Sequence, residues 1–326
     1  MIGVGTRTIV DDIRSQSGID LGNQERVFSV VSSFIEDQIK LNDGKTKLSF
    51  GSKFEHNDST GFEVQPTARV SWLPTENQTL WGSVSRAVRI PSRVEEQIQL
   101  PYGVTTLPDS RPAILVLNGN REYDSEVMIS YEAGYRVSPS ESVSFDIATF
   151  YNDYDNLSNI ESSAPVIDPT TGVGFIAGEF ANNIYAQTWG YEAVANWQAT
   201  SRWQLQAWYT YLSIHRDTEQ GSSLDKPTDN GVDPESQFAI RSLMNLTDTI
   251  DFDTRLRWVD NIPLYNLPSY YELDVRLGWH LCSDVEFSLI GANLLNDDHA
   301  EYVSQTIAVT PSQIQRSVFG KVTYRF

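Results

Sequence analysis

Residues 314–326 read IQRSVFGKVTYRF, and the pattern of this closing stretch sets how the rest of the chain is read. Val318, Gly320, Val322, Tyr324 and Phe326 take every second position, and Ser317, Lys321, Thr323 and Arg325 fill most of the gaps. Successive side chains of a strand point to opposite faces, so this segment is apolar and aromatic on one face and polar and basic on the other. The closing strand of a transmembrane β-barrel needs that division, because one face meets lipid and the other a wet interior. An edge strand of a soluble sheet can alternate too, so the preceding segments have to separate the two.

The alternation recurs going back along the chain. Tyr271, Leu273, Val275, Leu277, Trp279 and Leu281 share one face, with Glu272, Asp274, Arg276 and His280 on the other. Ile250, Phe252, Leu256 and Trp258 oppose Asp251, Asp253, Arg255 and Arg257. Trp203, Leu205, Ala207, Tyr209 and Tyr211 oppose Gln204, Gln206 and Thr210. Val127, Ile129, Tyr131, Ala133, Tyr135 and Val137 oppose Glu126, Ser130, Glu132 and Arg136. None of these apolar faces carries an Asp, Glu, Lys or Arg. At mid-bilayer an outward Arg or Lys costs roughly 2–4 kcal/mol, so charge-free faces are what a lipid-facing wall requires. Trp203, Tyr211, Trp258, Tyr271 and Trp279 lie towards the ends of these faces, where interfacial girdles sit.

Strands are predicted at 2–10, 26–41, 45–55, 62–73, 79–88, 125–137, 142–153, 186–198, 203–214, 236–246, 250–259, 270–281, 285–295 and the closing stretch. That is about fourteen, each long enough to cross a bilayer when tilted. Short connections at 42–44, 74–77, 138–140, 199–201, 247–249 and 282–284 hold turn-forming residues. Between them fall longer connections, read as irregular, at 15–25, 89–124, 154–185, 215–235, 261–269 and 296–313; the short one at 57–61 is the exception. Short turns at one end and long loops at the other are the arrangement of periplasmic turns and extracellular loops. With the C-terminus in the periplasm, every long loop falls outside the cell.

Composition narrows the classes further. The 326 residues suffice for one large all-β unit or two ordinary domains. Aromatic residues make up 11 %, with 8 Trp and 15 Tyr. Mean hydropathy is −0.34, and no apolar run approaches the roughly 18 residues of a membrane helix. Barrel strands keep this average low because alternation hides their hydrophobicity. A net charge of −19 argues against a nucleic-acid partner, which needs clustered Lys and Arg. The single cysteine, Cys282, leaves no disulfide framework and no Cys-based metal site. Met1 leads into IGVGTRTIV without a basic n-region or an apolar h-region, so sequence upstream is expected for such a barrel.

Residues 61–93, GFEVQPTARVSWLPTENQTLWGSVSRAVRIPSR, resemble the TonB-dependent outer-membrane receptors, above all in the SRAVR-P-SR strand and the hairpin before it. Further resemblance lies in SFIEDQIKL at 33–41, KLSFGSKFEHN at 47–57, SYEAGYRVSPSESVSFDIATFYNDYDNL at 130–157, GANLLND at 291–297 and the terminal VTYRF. The closing strand also resembles the C-terminal signature of bacterial outer-membrane proteins, which commonly ends in Phe. The resemblance implies an all-β, antiparallel transmembrane barrel of about twenty-two strands with a globular plug before it. Residues 1–326 then supply about fourteen strands of the C-terminal portion, the plug and first strands lying outside this chain. It also implies an outer membrane of a Gram-negative bacterium, a scarce-nutrient ligand such as an iron–siderophore complex or cobalamin, and energy from the TonB–ExbB–ExbD complex. That complex is reached through a TonB box, which is absent from this sequence. Phe326 is implied as the contact for the barrel assembly machinery.

Few residues stand out as chemistry. His56, His215, His280 and His299 lack metal-ligand spacing, and His280 falls on the polar face of its strand. Asp225, Asp229 and Asp233 share one loop without the EF-hand pattern, and a solvated loop is the expectation. Asn152-Asp153-Tyr154-Asp155-Asn156 reads the same way. Gly3-Val4-Gly5 has no following helix to make a phosphate cradle. No GxSxG and no nucleophile–base pair is present, so no catalytic residue, metal or cofactor is assigned. The ligand-binding candidates are loop and rim residues: Arg89, Arg93, Tyr102, Tyr123 and Tyr185. Ser85 and Arg86 join the rim, with a structural role for the arginines, pairing with lumen or plug, as the expectation. Arg86 and Arg89 are oddly spaced and cannot share one face of a regular strand.

The resemblance makes the loops at 89–124, 154–185 and 215–235 the outer vestibule. The acidic balance admits a cationic or metal-bearing ligand. Two other readings share the pattern: a smaller, self-contained porin-like passive channel, and a soluble β-rich carbohydrate-binding protein. An outer-membrane enzyme is the least supported.

Overall fold

The computed structural model describes residues 1–14, 18–22, 24–223, 231–303 and 312–326. β1 (Ile2–Asp12), β2 (Glu25–Leu41), β3 (Thr46–Asn57), β4 (Gly61–Trp72) and β5 (Gln78–Arg89) form an antiparallel meander. A short helix, α1 (Arg93–Gln97), and a hairpin of β6 (Gln99–Thr106) and β7 (Pro112–Asn118) interrupt it. β8 (Glu126–Ser140) pairs back with β5, and β9 (Val143–Ser162) with β8. After the two-residue β10 (Val166–Ile167), β11 (Gly174–Thr200) pairs with β9. β12 (Trp203–Thr218), β13 (Ser236–Asn245), β14 (Ile250–Val259), β15 (Tyr270–His280) and β16 (Val285–Ala292) follow in order, each antiparallel to the last. β17 (Asp298–His299) pairs with β18 (Ile314–Gln315), and β19 (Ser317–Tyr324) lies against β16. Setting aside β6, β7, β10, β17 and β18, fourteen strands of the described residues form one continuous antiparallel wall. Among the described residues no register joins β1 to β19. Among the described residues no helix is long and apolar enough to cross a membrane, which says nothing of strands.

The registers carry the alternation from strand to strand. Tyr209, Phe238, Trp258 and Tyr271 lie opposite one another across β12 to β15, as do Ala207, Ile240, Leu256 and Leu273. This apolar face is not covered by a second layer. Trp189 is 49 %, Trp197 48 %, Trp279 50 % and Leu289 56 % exposed. A soluble sandwich buries such a face, and an apolar surface this extensive in water is a binding or aggregation site. A barrel wall turns it to lipid. The opposite face carries cross-strand ion pairs. Arg255 reaches Asp274 at 2.6 Å and Glu272 at 3.0 Å, Arg276 reaches Asp253 at 2.9 Å, and His280 meets Asp251 at 2.7 Å. His280 thus sits on the polar face, as its parity requires.

Two stretches read as irregular are ordered. Within 89–124, Ser92 caps α1 in a reciprocal capping box with Glu95, and β6–β7 form a hairpin. Within 154–185, β9 continues to Ser162 and β11 begins at Gly174. The two strands stay paired there, and β7 adds to β11 in parallel from Gly174↔Ala113 to Glu179↔Asn118. Backbone groups satisfied in this way let the sheet rise above the wall as a crown. Its own small core includes Ile98, Leu107, Ala113 and Tyr123, all buried. Asn261–Ser269 likewise contains a 3-10 turn at Pro263–Tyr265.

Candidate functional site at the outer rim

The rim is the end of the wall that bears the long connections, and two charged constellations lie on it. The first is centred on Arg89, the last residue of β5. Its guanidinium donates to Glu95 at 2.7 and 3.1 Å and to Glu126 at 2.5 and 2.7 Å, and reaches the Tyr123 hydroxyl at 3.3 Å. Tyr123 in turn donates to Glu126 at 3.2 Å. Burial pushes the Tyr123 hydroxyl up to about 12. Burial also works to raise the Glu95 carboxyl, but hydrogen bonds from Arg89 and Ser92 outweigh it and hold it below its ordinary value. Arg89 and Tyr123 are therefore brought together, as one knot tying α1 and the crown to β5 and β8.

Arg93 opens α1 and turns another way. It pairs with Asp11 of β1 and donates to the Leu21 carbonyl at 3.3 Å. Tyr102 is exposed on β6, and Tyr185, exposed on β11, lies opposite Asp217. Tyr185 shares the strand parity of Trp189 and Tyr191, which places it on the apolar side. Arg86 resolves the odd spacing of the two arginines. The β4–β5 register ends at Thr67↔Ser85, so the strands part beyond it. Arg86 enters that gap, donating to the Val64 carbonyl at 2.6 Å and facing Glu63 at 3.5 Å.

The second constellation was not visible in the sequence. At the start of β15 and the end of β14, a cavity of about 340 Å³ opens between three connections, at 232–234, 260–268 and 300–303. Arg257, Tyr265, Tyr270, Asp233, Asp260 and Glu301 line it among apolar residues. Arg257 is bound by Glu272 at 2.5 Å and Glu301 at 2.7 Å and lies 5.4 Å from the Tyr270 ring centre. Tyr270 donates to Glu301 at 2.8 Å, and His299 stacks on Tyr270 with ring centres 4.0 Å apart. Burial tends to raise the Glu301 carboxyl, yet hydrogen bonds from His299 and Tyr270 and the charge of Arg257 hold it below its usual value. Gly231 fixes the meeting of two connections. Its φ is +86° and its carbonyl accepts from Leu264 at 3.0 Å, while a Cβ there would lie 2.9 Å from Pro263 Cδ.

Glu272, His299 and Glu301 offer ligand atoms all within 4.8 Å of one another, a grouping that sequence spacing did not suggest. Arg257 already stands between the two carboxylates as their cation. Of the carboxylates singled out earlier, Asp225 and Asp229 lie outside the described residues, and Asp233 falls on the cavity wall. The signal that was available was compositional: Tyr265, Tyr270 and Tyr302 cluster in and around connections rich in Asp and Pro.

The family model described as TonB dependent receptor-like, beta-barrel, matches residues 5–296. A ferric enterobactin receptor of Pseudomonas aeruginosa is 30 % identical over 165 residues, covering 48 % of this chain and 20 % of that receptor. Among solved structures, the siderophore receptor PirA from Acinetobacter baumannii superposes with a TM-score of 0.76 at 17 % identity, over 100 % of this chain and 52 % of that one. A mutant of the P. aeruginosa ferric enterobactin receptor PfeA gives 0.76 at 16 % identity, over 100 % and 50 %. The chain thus spans about half the length of the solved structures it matches.

Proposed function

The chain belongs to the TonB-dependent receptor-like β-barrel family, and on that premise we propose that it is the C-terminal wall of an outer-membrane receptor that imports a ferric siderophore. The observation that carries this reading is the uncovered apolar face of a fourteen-strand antiparallel wall, charge-free across 203–211, 236–244, 250–258 and 271–281, whose other face bears ion pairs. Such a wall separates lipid from an aqueous interior. The ordered crown and the rim cavity are the parts placed to meet a ligand outside the cell. Within this reading Arg89, Arg93 and Tyr123 hold the crown in shape, and Tyr102 is free to contact ligand. Energy comes from the TonB–ExbB–ExbD complex, and insertion uses the exposed terminal Phe326. Cobalamin is the other substrate class for the same architecture.

The test is uptake of radioactive iron, supplied as ferric siderophores, by iron-starved cells with and without the gene, each with and without TonB. Uptake that requires both is the expected result. Uptake unchanged by deleting the gene under every siderophore tried, and cobalamin uptake unchanged as well, overturns the reading.

A further inference from the structure

The rim cavity has a chemistry that the relatives' names do not suggest. Arg257, the one cation among its described lining residues, is already neutralised by Glu272 and Glu301. What remains on the wall is Asp233, whose ion pair with Arg216 is 3.9 Å long, and Asp260, which among the described residues accepts from the neighbouring Asn261 amide alone, at 2.8 Å. Tyr265 and Tyr302 supply aromatic surface beside apolar Val259 and Leu267. Two under-compensated carboxylates at an aromatic, partly apolar mouth are complementary to a cation on an apolar stem, through both charge and cation–π attraction. They repel an anion.

We propose that this cavity is a subsite for an ammonium-bearing arm of the ferric chelate, so that the receptor selects a cationic or zwitterionic siderophore over a trianionic tris-catecholate complex. The proposal rests on the siderophore reading above and specifies its substrate class. A volume of about 340 Å³ suits one arm of a chelate, leaving the iron centre to the wider vestibule. The cavity is built by residues of three connections, with Gly231 and Pro263 fixing two of them against each other, so the carboxylates are positioned before ligand arrives.

The experiment measures dissociation constants on the protein purified from outer membranes in detergent. Three probes are used: a ferric trihydroxamate with a pendant ammonium, the same chelate with that amine acetylated, and ferric enterobactin. The ammonium form should bind roughly tenfold more tightly than the acetylated form, as expected for loss of one partly desolvated charge pair. In the Asp233→Asn, Asp260→Asn double variant that ratio should fall towards one. Equal binding of the ammonium and acetylated forms by the unaltered protein overturns the subsite, as does tighter binding of ferric enterobactin than of either. A ratio kept intact in the double variant also overturns it. If none of the three chelates binds, the siderophore reading fails together with the subsite. Because the first comparison needs no mutation, a misfolded variant cannot rescue the proposal.

Discussion

On the β5–β8 side of the rim, Arg89 is gripped by Glu95, Glu126 and Tyr123, and both carboxylates of the cluster face its guanidinium. On the β14–β15 side, Arg257 is gripped by Glu272 and Glu301, but Asp233 and Asp260 beside it look into a cavity. The two places use the same residue types. They differ in whether the ledger of charges is closed within the chain. A closed knot shapes the protein, and an open one leaves capacity for something else to bind. The knots also differ in redundancy. Glu95 and Glu126 have Arg89 as their shared cation, whereas Glu272 keeps Arg255 at 3.0 Å if Arg257 is lost.

The largest effect should therefore come from Arg89→Ala. Breaking one partner of a buried pair costs about 3–5 kcal/mol. The Arg89 side chain is 47 % exposed, so solvent screening reduces this to about 2 kcal/mol. The cost falls on the attachment of α1 and the β6–β7 hairpin, and protease added to intact cells should cut between residues 98 and 124 much faster than in the unaltered protein. Arg257→Ala should loosen its own side less. Equal sensitivity of the two variants would break the comparison, because redundancy would then be irrelevant.

Next come two glycines, one on each side. A Cβ on Gly119 would lie 2.3 Å from the Gln97 nitrogen and 2.5 Å from the Glu96 carbonyl carbon, so the α1 backbone itself must move. Gly119→Ala should cost roughly 1–3 kcal/mol of crown stability by overpacking. Gly231→Ala meets a proline ring and a left-handed backbone, at roughly 1–2 kcal/mol. Protease should report the first on the crown, and weaker chelate binding should report the second at the cavity. The reverse assignment would show that the two sides are mechanically coupled.

What could be read from the sequence follows the same division. The wall was legible because each of its strands divides two different surroundings, and alternation in 203–211, 250–258 and 271–281 records that division directly. The predicted 186–198 strand stopped short of the observed β11 because residues 174–185, GFIAGEFANNIY, put small and apolar residues on both parities, so the strand continues there without an alternation of polarity in the sequence. α1 left a trace in Ser92 and Glu95, three residues apart, but five residues are too few for a periodic pattern. Of the site candidates, Arg89 and Tyr123 meet, although 34 residues separate them, through a register no local pattern encodes. The cavity was illegible for that reason too: Asp233, Arg257 and Glu301 converge only once three connections fold over the ends of β14 and β15.

Acid should act on both sides. The Glu95 and Glu301 carboxyls are held below their ordinary values in the folded protein. Groups depressed in this way stabilise fully above the ordinary carboxylate value, and that contribution is lost as pH falls through the lower, folded value. Cleavage of the crown by an acid-active protease should stay flat down to the ordinary carboxylate range and rise only beneath it. A rise beginning near neutral pH would mean that groups other than these carboxylates hold the rim.

The smallest effect should belong to Asp109→Asn at the tip of the β6–β7 hairpin. Asp109 pairs with Arg111 at 2.5 Å, but both side chains stand about half in solvent. Exposed pairs of this kind contribute little because water screens them and two mobile side chains must be ordered to make them. The turn has its own backbone support: Leu107 donates to the Arg111 carbonyl at 2.8 Å and Ser110 to the Leu107 carbonyl at 2.9 Å. An asparagine retains the oxygen that accepts from the Arg111 amide at 3.2 Å. Protease sensitivity of the crown should therefore match that of the unaltered protein. If Asp109→Asn instead loosens the crown as far as Arg89→Ala does, net charge rather than the placement of individual partners governs the rim, and the contrast between a closed and an open constellation loses its physical basis.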